Sequence, residues 1–150
     1  MSSVQYIVVR KDLVPVMGVG KTAAQVAHAS LGAVIERDVR TITEYIPGPL
    51  YPISTPVKVD KVQLIENKDT LNWLRGKFTK LVVYIKTKQK LLNLAKKLDN
   101  EAIRYKLIYD SCLTKLEPEE EDGTTLTCMG IIPISVDNVP NYLKKLRLLE

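Results

Sequence analysis

The chain has 150 residues, 45% of them apolar and 26% charged, with 22 basic against 17 acidic side chains. A chain of this length suits a single domain, expected to span 1–150, and can bury about 70% of its unfolded surface without a staple. Two cysteines, Cys112 and Cys128, are too few for a disulfide framework, and the single histidine, His28, excludes a Cys2His2 zinc site. No apolar run nears the ~20 residues a bilayer needs, and the start MSSVQYIVVRKDL lacks a signal peptide's three regions. A soluble, cytoplasmic protein that neither spans nor binds a membrane is expected.

The charge is unevenly spread. Glu117, Glu119, Glu120, Glu121 and Asp122 share one six-residue stretch, and without them 22 basic and 12 acidic residues leave a net charge of +10. A body so basic attracts polyanions, of which nucleic acid is the commonest in cells. Lysines that merely keep a surface soluble would give the same count.

In chain order, Val4 to Arg10 is β-branched, aromatic and nearly continuous, as expected of a strand buried on both faces. The glycine-bearing turn MGVG, Met17 to Gly20, leads into a helix from Lys21 to about Arg37. On a helical wheel Ala23, Val26, Ala27, Ser30, Leu31 and Val34 form one side, and Lys21, Gln25, His28 and Gly32 a polar stripe opposite. From about 40 to 76 the pattern breaks. Pro47, Pro49, Pro52 and Pro56 fall within ten residues, so an irregular, proline-rich insertion is expected, with a short edge element at Val57 to Ile65 and a helical turn around Trp73. Leu81 to Lys86 reads as a strand, and Thr87 caps a helix from Lys88 to Leu98 with Leu91, Leu92, Leu94, Ala95 and Leu98 inward. Strands follow at Arg104 to Tyr109 and Thr125 to Ile132, and Pro140 opens a final helix through Leu146. The alternation predicts an α/β fold: a three-layer sandwich with an about four-stranded mixed sheet and helices on both faces.

Two places can carry chemistry. Lys21, Gln25 and His28 lie at the start of a helix fed by a glycine-containing loop, where free amides, the helix dipole and the lysine charge hold anions. GVGK is not a Walker A loop, because Pro15 occupies the first glycine's position, and Ala23 spoils GxGxxG. A solvated helix face would show the same spacing. Asp110 closes a strand, with Thr114 four residues on. If that strand runs parallel to the first, Asp110 lies at the strand ends where α/β sheets gather ligands. A carboxylate there orients a lysine or takes a proton from water, and an Asx turn is the structural alternative.

These segments together resemble the archaeal and eukaryotic-type (type 2) peptidyl-tRNA hydrolases. The resemblance is carried by YIVVRKDL, then MGVGKTAAQVAHASLGA, Trp73 and Gly76 before LVVYIK, YDSCLTKLEP, and MGIIP before a lysine-rich helix. The ending VPNYLKKLRLL also looks like the divergent peptidyl-tRNA hydrolase domain-containing branch. The resemblance covers Tyr6 to about Leu149, with residues 40–67 as an insertion. It implies hydrolysis of the ester joining a peptide to the terminal ribose of tRNA, in the recycling arm of translation quality control, with no metal and no cofactor. Lys21, Asp110, Thr114 and His28 match the family's catalytic positions, and Gly20, Gln25 and Lys11 fall at substrate-binding ones. Peptidyl-tRNA is the implied partner, and family members are often homodimers. In the expected mechanism Asp110 orients or deprotonates water, Lys21 stabilises the oxyanion or a phosphate, and Thr114 positions the carbonyl or water. Gln25 and His28 support them.

The chain departs from the family in its binding residues. Val19 stands where GKGK has a lysine, and Ser111-Cys112-Leu113 replaces the segment that carries a glycine and an arginine. Glu117 to Gly123 is an acidic expansion of a short turn. Fewer cations and more anions weaken attraction to phosphates. The alternative is a catalytically weak or inactive family member acting as an RNA- or protein-binding module.

Overall fold

The computed structural model describes residues 2–48 and 53–150. The chain divides into two compact units, one built from the chain up to Val34 together with Glu66–Glu150, the other from Ile35–Ile65.

The first unit is built on a mixed sheet. Its strands are β1 (Ser3–Arg10), β4 (Lys80–Ile85), β5 (Tyr105–Asp110), β6 (Thr125–Ile131) and the two-residue β7 (Ile134–Ser135). The order is β4-β1-β6-β5, with β7 paired to the start of β1, which makes five strands where about four were expected. A two-residue strand is too short to leave a period-2 pattern. Strand β1 runs parallel to β4 and antiparallel to β6, and β5 is antiparallel to β6. Strands β1, β4 and β5 therefore point the same way, and Asp110 shares one end of the sheet with Arg10 and Ile85. The outer edge of β4 is closed by the C-terminal segment, where Leu149 N donates to Val82 O and Tyr84 N to Arg147 O.

Both faces of the sheet are covered. The period-2 alternation of β1 puts Val4, Tyr6 and Val8 into one core with Leu91, Leu94, Ala95 and Leu98 of α3 (Lys88–Asn100). Ile7 and Val9 face the opposite core with Ala29 of α1 (Val14–Gly32) and Cys128 of β6. Thr87 caps α3 as expected, its hydroxyl accepting from Lys90 N at 3.2 Å. Helix α2 (Lys68–Arg75) buries Trp73, whose indole N–H donates to Thr79 O at 2.9 Å. The last helix, α4 (Asn141–Lys144), is shorter than expected and has Pro140 as its N-cap.

Helix α1 departs from the expected reading in three ways. It breaks at Gly18, whose φ of 74° is open to glycine at little cost, so its regular part starts at Val19. It ends at Gly32 instead of near Arg37, because Ile35 already belongs to a strand. It is also partly rotated: Ser30 of the expected apolar side is buried, but Thr22, Gln25 and Ala29 are buried with it, whereas Ala23, Ala27 and Leu31 of that side are exposed. The sheet beneath explains the rotation. Gln5 is fully buried there, and its side chain exchanges bonds with Ser30, Nε2 donating to Ser30 O at 3.0 Å and Ser30 Oγ donating to Oε1 at 2.6 Å. Gly130 lets the helix backbone come close, since a Cβ there would lie 1.9 Å from Ala29 O.

The second unit corrects the expectation of an irregular insertion. Strands β2 (Ile35–Ile46) and β3 (Ile53–Leu64) pair antiparallel in unbroken register from Ile35 opposite Leu64 to Ile46 opposite Ile53. Pro47 follows the end of β2, and Pro56 lies within β3 opposite Thr43. Alternate amides of a two-stranded ribbon face outward, so a proline is tolerated there without losing a ladder bond. Pro49 and Pro52 lie outside the described residues.

Candidate active site

The loop after β5 and the regular start of α1 meet at the end of the sheet that β1, β4 and β5 share. Asp110 is the last residue of β5, and Lys21 stands three residues beyond the Gly18 break. The Lys21 ammonium lies 3.0 Å from Asp110 Oδ2, and both side chains are only 13% exposed. The same ammonium donates to Thr114 O at 2.6 Å and Thr114 Oγ1 at 3.0 Å. The ammonium thus lies among one carboxylate oxygen and two oxygens of Thr114.

Asp110 is held on both oxygens. Gln25 Nε2 donates to Oδ1 at 3.1 Å, and Cys112 N donates to Oδ2 at 2.9 Å, closing an Asx turn. Behind Gln25, Thr127 Oγ1 donates to Gln25 Oε1 at 2.7 Å, and Cys128 Sγ to Gln25 O at 3.3 Å. The bonds from Thr127 and to Asp110 orient the side-chain amide, oxygen toward the hydroxyl and nitrogen toward the carboxylate. A β-bulge makes the arrangement possible. Ile108 pairs with Cys128 and Tyr109 with Leu126, so Thr127 is the extra residue. Thr127 and its neighbour Cys128 thereby both meet α1, while Leu126 and Met129 stay in the opposite core. Burial pushes the Cys128 thiol up to about 12, which leaves it inert.

The loop is strained on either side of Leu113 and Thr114. Cys112 has φ 59° and Lys115 φ 65°, both left-handed without being glycine. Lys115 Nζ donates to Met17 O at 3.2 Å, tying the loop to the residue before the α1 break. The acidic run is also pinned down. Glu119 bonds the buried Arg10 guanidinium at 2.9 Å, Arg10 also holds Asp12 and Leu126 O, and Glu120 pairs with Lys88.

Of the residues singled out in the sequence, Lys21, Gln25, Asp110 and Thr114 converge. Gly20 adjoins Lys21 in open space, with nothing within 4 Å of where a Cβ would stand. Lys11 is exposed and stacks its ammonium 4.1 Å from the Tyr84 ring centre instead of joining the cluster. His28 is exposed, and none of the cluster's hydrogen bonds reaches it. Thr127 escaped the sequence reading, because a bulge leaves no mark in hydropathy and its strand reads as continuous. Among the described residues no group of three or more His, Cys, Asp or Glu could hold a metal, and no helix is long and apolar enough to cross a membrane.

The fold is thus an α/β sandwich with a half-buried lysine–carboxylate pair and a threonine beside it at its strand ends. Comparison with known sequences gives the family. The model of the family described as "Peptidyl-tRNA hydrolase PTH2" matches residues 3–149. The chain is 31% identical over 144 residues to a peptidyl-tRNA hydrolase of Haloquadratum walsbyi, covering 96% of this chain and 97% of that protein. It is 33% identical over 146 residues to one of Methanopyrus kandleri, covering 97% of each. With one of Saccharolobus solfataricus the identity is 31% over 144 residues, covering 95% and 96%. The chain belongs to the PTH2 family of peptidyl-tRNA hydrolases.

Proposed function

We propose that this protein hydrolyses the ester bond of peptidyl-tRNA, releasing the peptide and a free tRNA, and that it does so in the cytoplasm. The observation that carries the reading is the Lys21 ammonium, bonded at once to the Asp110 carboxylate and the Thr114 hydroxyl from a position about ninety residues away in sequence. Ester hydrolysis needs an oriented water and a positive partner for the oxyanion of the tetrahedral intermediate. Asp110, fixed by Gln25 and the Cys112 amide, orients the attacking water and takes up its proton. Lys21 faces the developing oxyanion, and an incoming substrate oxygen replaces one of its bonds to Thr114. The Thr114 hydroxyl, released by that exchange, positions the carbonyl or the water. Thr127 acts through Gln25 by keeping its amide turned toward Asp110. Direct attack by water is preferred over an acyl-enzyme, because no serine nucleophile paired with a base occupies the matched positions.

The test is turnover of N-acetyl-aminoacyl-tRNA by the purified protein, followed as release of the N-acetyl amino acid. Multiple turnovers well above the spontaneous rate are expected. No release above that rate, with tRNA or protein binding retained, would replace the hydrolase with a binding module.

A further inference from the structure

Among the described residues no strand covers the outer edge of β2. Strands β2 and β3 form a sheet of their own, two strands wide, and none of their described residues is buried. Val39 and Val62 are 50% and 66% exposed. A lone pair of strands is marginal in water, and further strands give it stability.

Pro56 fixes which way the amides face. It stands opposite Thr43 in an unbroken ladder, and proline has no N–H to exchange, so this pair is a non-hydrogen-bonded one. By alternation, Arg37, Val39, Thr41 and Thr43 turn their N–H and C=O groups away from β3. On the far side, Pro56 and its alternate neighbours Lys58 and Asp60 turn theirs away from β2. The β3 edge is therefore blunted, by the missing donor of Pro56 and by Lys58 and Lys61. The β2 edge has neither proline nor lysine over twelve residues, and Val39, Thr41 and Thr43 suit a paired strand.

Charge selects the occupant. The two strands carry four basic and four acidic residues, so the ribbon has no net charge to attract RNA. A second copy of the chain fits. Antiparallel pairing of β2 with another β2, about a two-fold axis at Val39, matches Arg37 with the partner's Thr41, both with outward amides. The same register sets Asp38 directly across from the partner's Arg40. Within one chain Arg40 Nε lies 3.5 Å from Asp38 Oδ2 on the same face, so the pair of copies forms a square of alternating charges. An axis at Arg37, Asp38 or Arg40 would instead oppose like charges. An axis at Ile42 gives Arg40 a different acid, the partner's Glu44.

We propose that the outer edge of β2 is a self-association surface, pairing about Val39 with the β2 edge of a second copy into a four-stranded sheet. Assembly stops at the dimer, because its outer edges are the two blunted β3 strands.

The test is sedimentation equilibrium of the full chain over a concentration series. The wild type is expected to dimerise as concentration rises. Thr41→Pro removes an outward N–H, leaves the ladder to β3 whole, and is expected to stay monomeric. Lys58→Pro makes the equivalent change on the outer edge of β3 and is expected to dimerise like the wild type. Arg40→Asp opposes Asp38 in the partner and should weaken the dimer by about tenfold. Adding Asp38→Arg to it restores the opposite charges, and with them the dimer. A wild type monomeric at every concentration, dimerisation undiminished in Thr41→Pro, or loss of the dimer in Lys58→Pro would each overturn the proposal. So would a charge exchange without rescue, which is the result an axis at Ile42 gives. Oligomeric state is read without substrate, so the outcome is independent of the hydrolase reading.

Discussion

Lys21 is held by one ion pair and two hydrogen bonds. Asp110 Oδ2 balances its charge and Thr114 O and Oγ1 accept from it, so an incoming substrate oxygen competes with oxygens already around the ammonium. Lys21→Ala is therefore expected to lower kcat by ~10²–10³-fold and to raise KM as well, because one cation serves both the oxyanion and the bound substrate. Thr114→Val, which keeps the carbonyl but removes the hydroxyl, is expected to cost less. His28→Ala is expected to change neither constant, in keeping with an exposed ring outside the cluster. Steady-state kinetics of the three variants, with folding checked by circular dichroism, ranks them. Lys21 and Asp110 could be picked from the sequence because they lie near the end of an element, Gln25 because it follows Lys21 at helical spacing, and Thr114 because it lies four residues after Asp110, all within long matching strings. Thr127 could not, since only the three-dimensional bulge turns it toward Gln25.

At the scale of elements, the contact between α1 and the sheet is polar and small where a hydropathy wheel expects apolar. Gln25 sits inside because Asp110 and Thr127 meet both ends of its amide, and Ser30 because Gln5 does the same. The wheel put Ala23, Ala27 and Leu31 inward, and the helix exposes them. Its rotation is set by hydrogen bonds and by the space over Gly130, which no one-dimensional hydropathy scale registers. Two glycines give opposite expectations. Gly130→Ala would place a methyl 1.9 Å from Ala29 O, a backbone atom, and should destabilise by at least ~1–3 kcal/mol as overpacking does. Gly20→Ala meets nothing within 4 Å and should leave stability equal or raise it by up to about 1 kcal/mol. Urea unfolding of the two variants reads both. The strands themselves were legible from β-branched runs. The ribbon of β2 and β3 was hidden by its prolines, which break helices and central strands but not a two-stranded ribbon.

For the whole molecule the question is how a basic chain with an acidic loop meets a polyanion. Glu119 and Glu120 are already spoken for by Arg10 and Lys88, whereas Glu121 and Asp122 are exposed. Asp122 accepts only from Thr124, and these two carboxylates, in no ion pair among the described residues, keep a charge that repels RNA. Replacing both with Gln and Asn should tighten tRNA binding at low salt, and the difference should shrink as salt screens it. Affinity of the unaltered protein should fall steeply with salt, which filter binding over a salt series would record. A double substitution that leaves affinity unchanged would place these carboxylates away from the RNA. The net charge was readable in the sequence. Its partition into acids with and without a cation partner depends on Arg10, 109 residues from Glu119, and on Lys88, 32 residues from Glu120.

Catalysis turns on one carboxylate, so the most direct test is Asp110→Asn assayed on N-acetyl-aminoacyl-tRNA. Asparagine keeps the shape and the bond from the Cys112 amide but cannot take up a proton or balance Lys21. The expected result is a fall in kcat of ~10²–10⁴-fold with KM changed by much less. A variant that folds normally and keeps the wild-type kcat would contradict the mechanism.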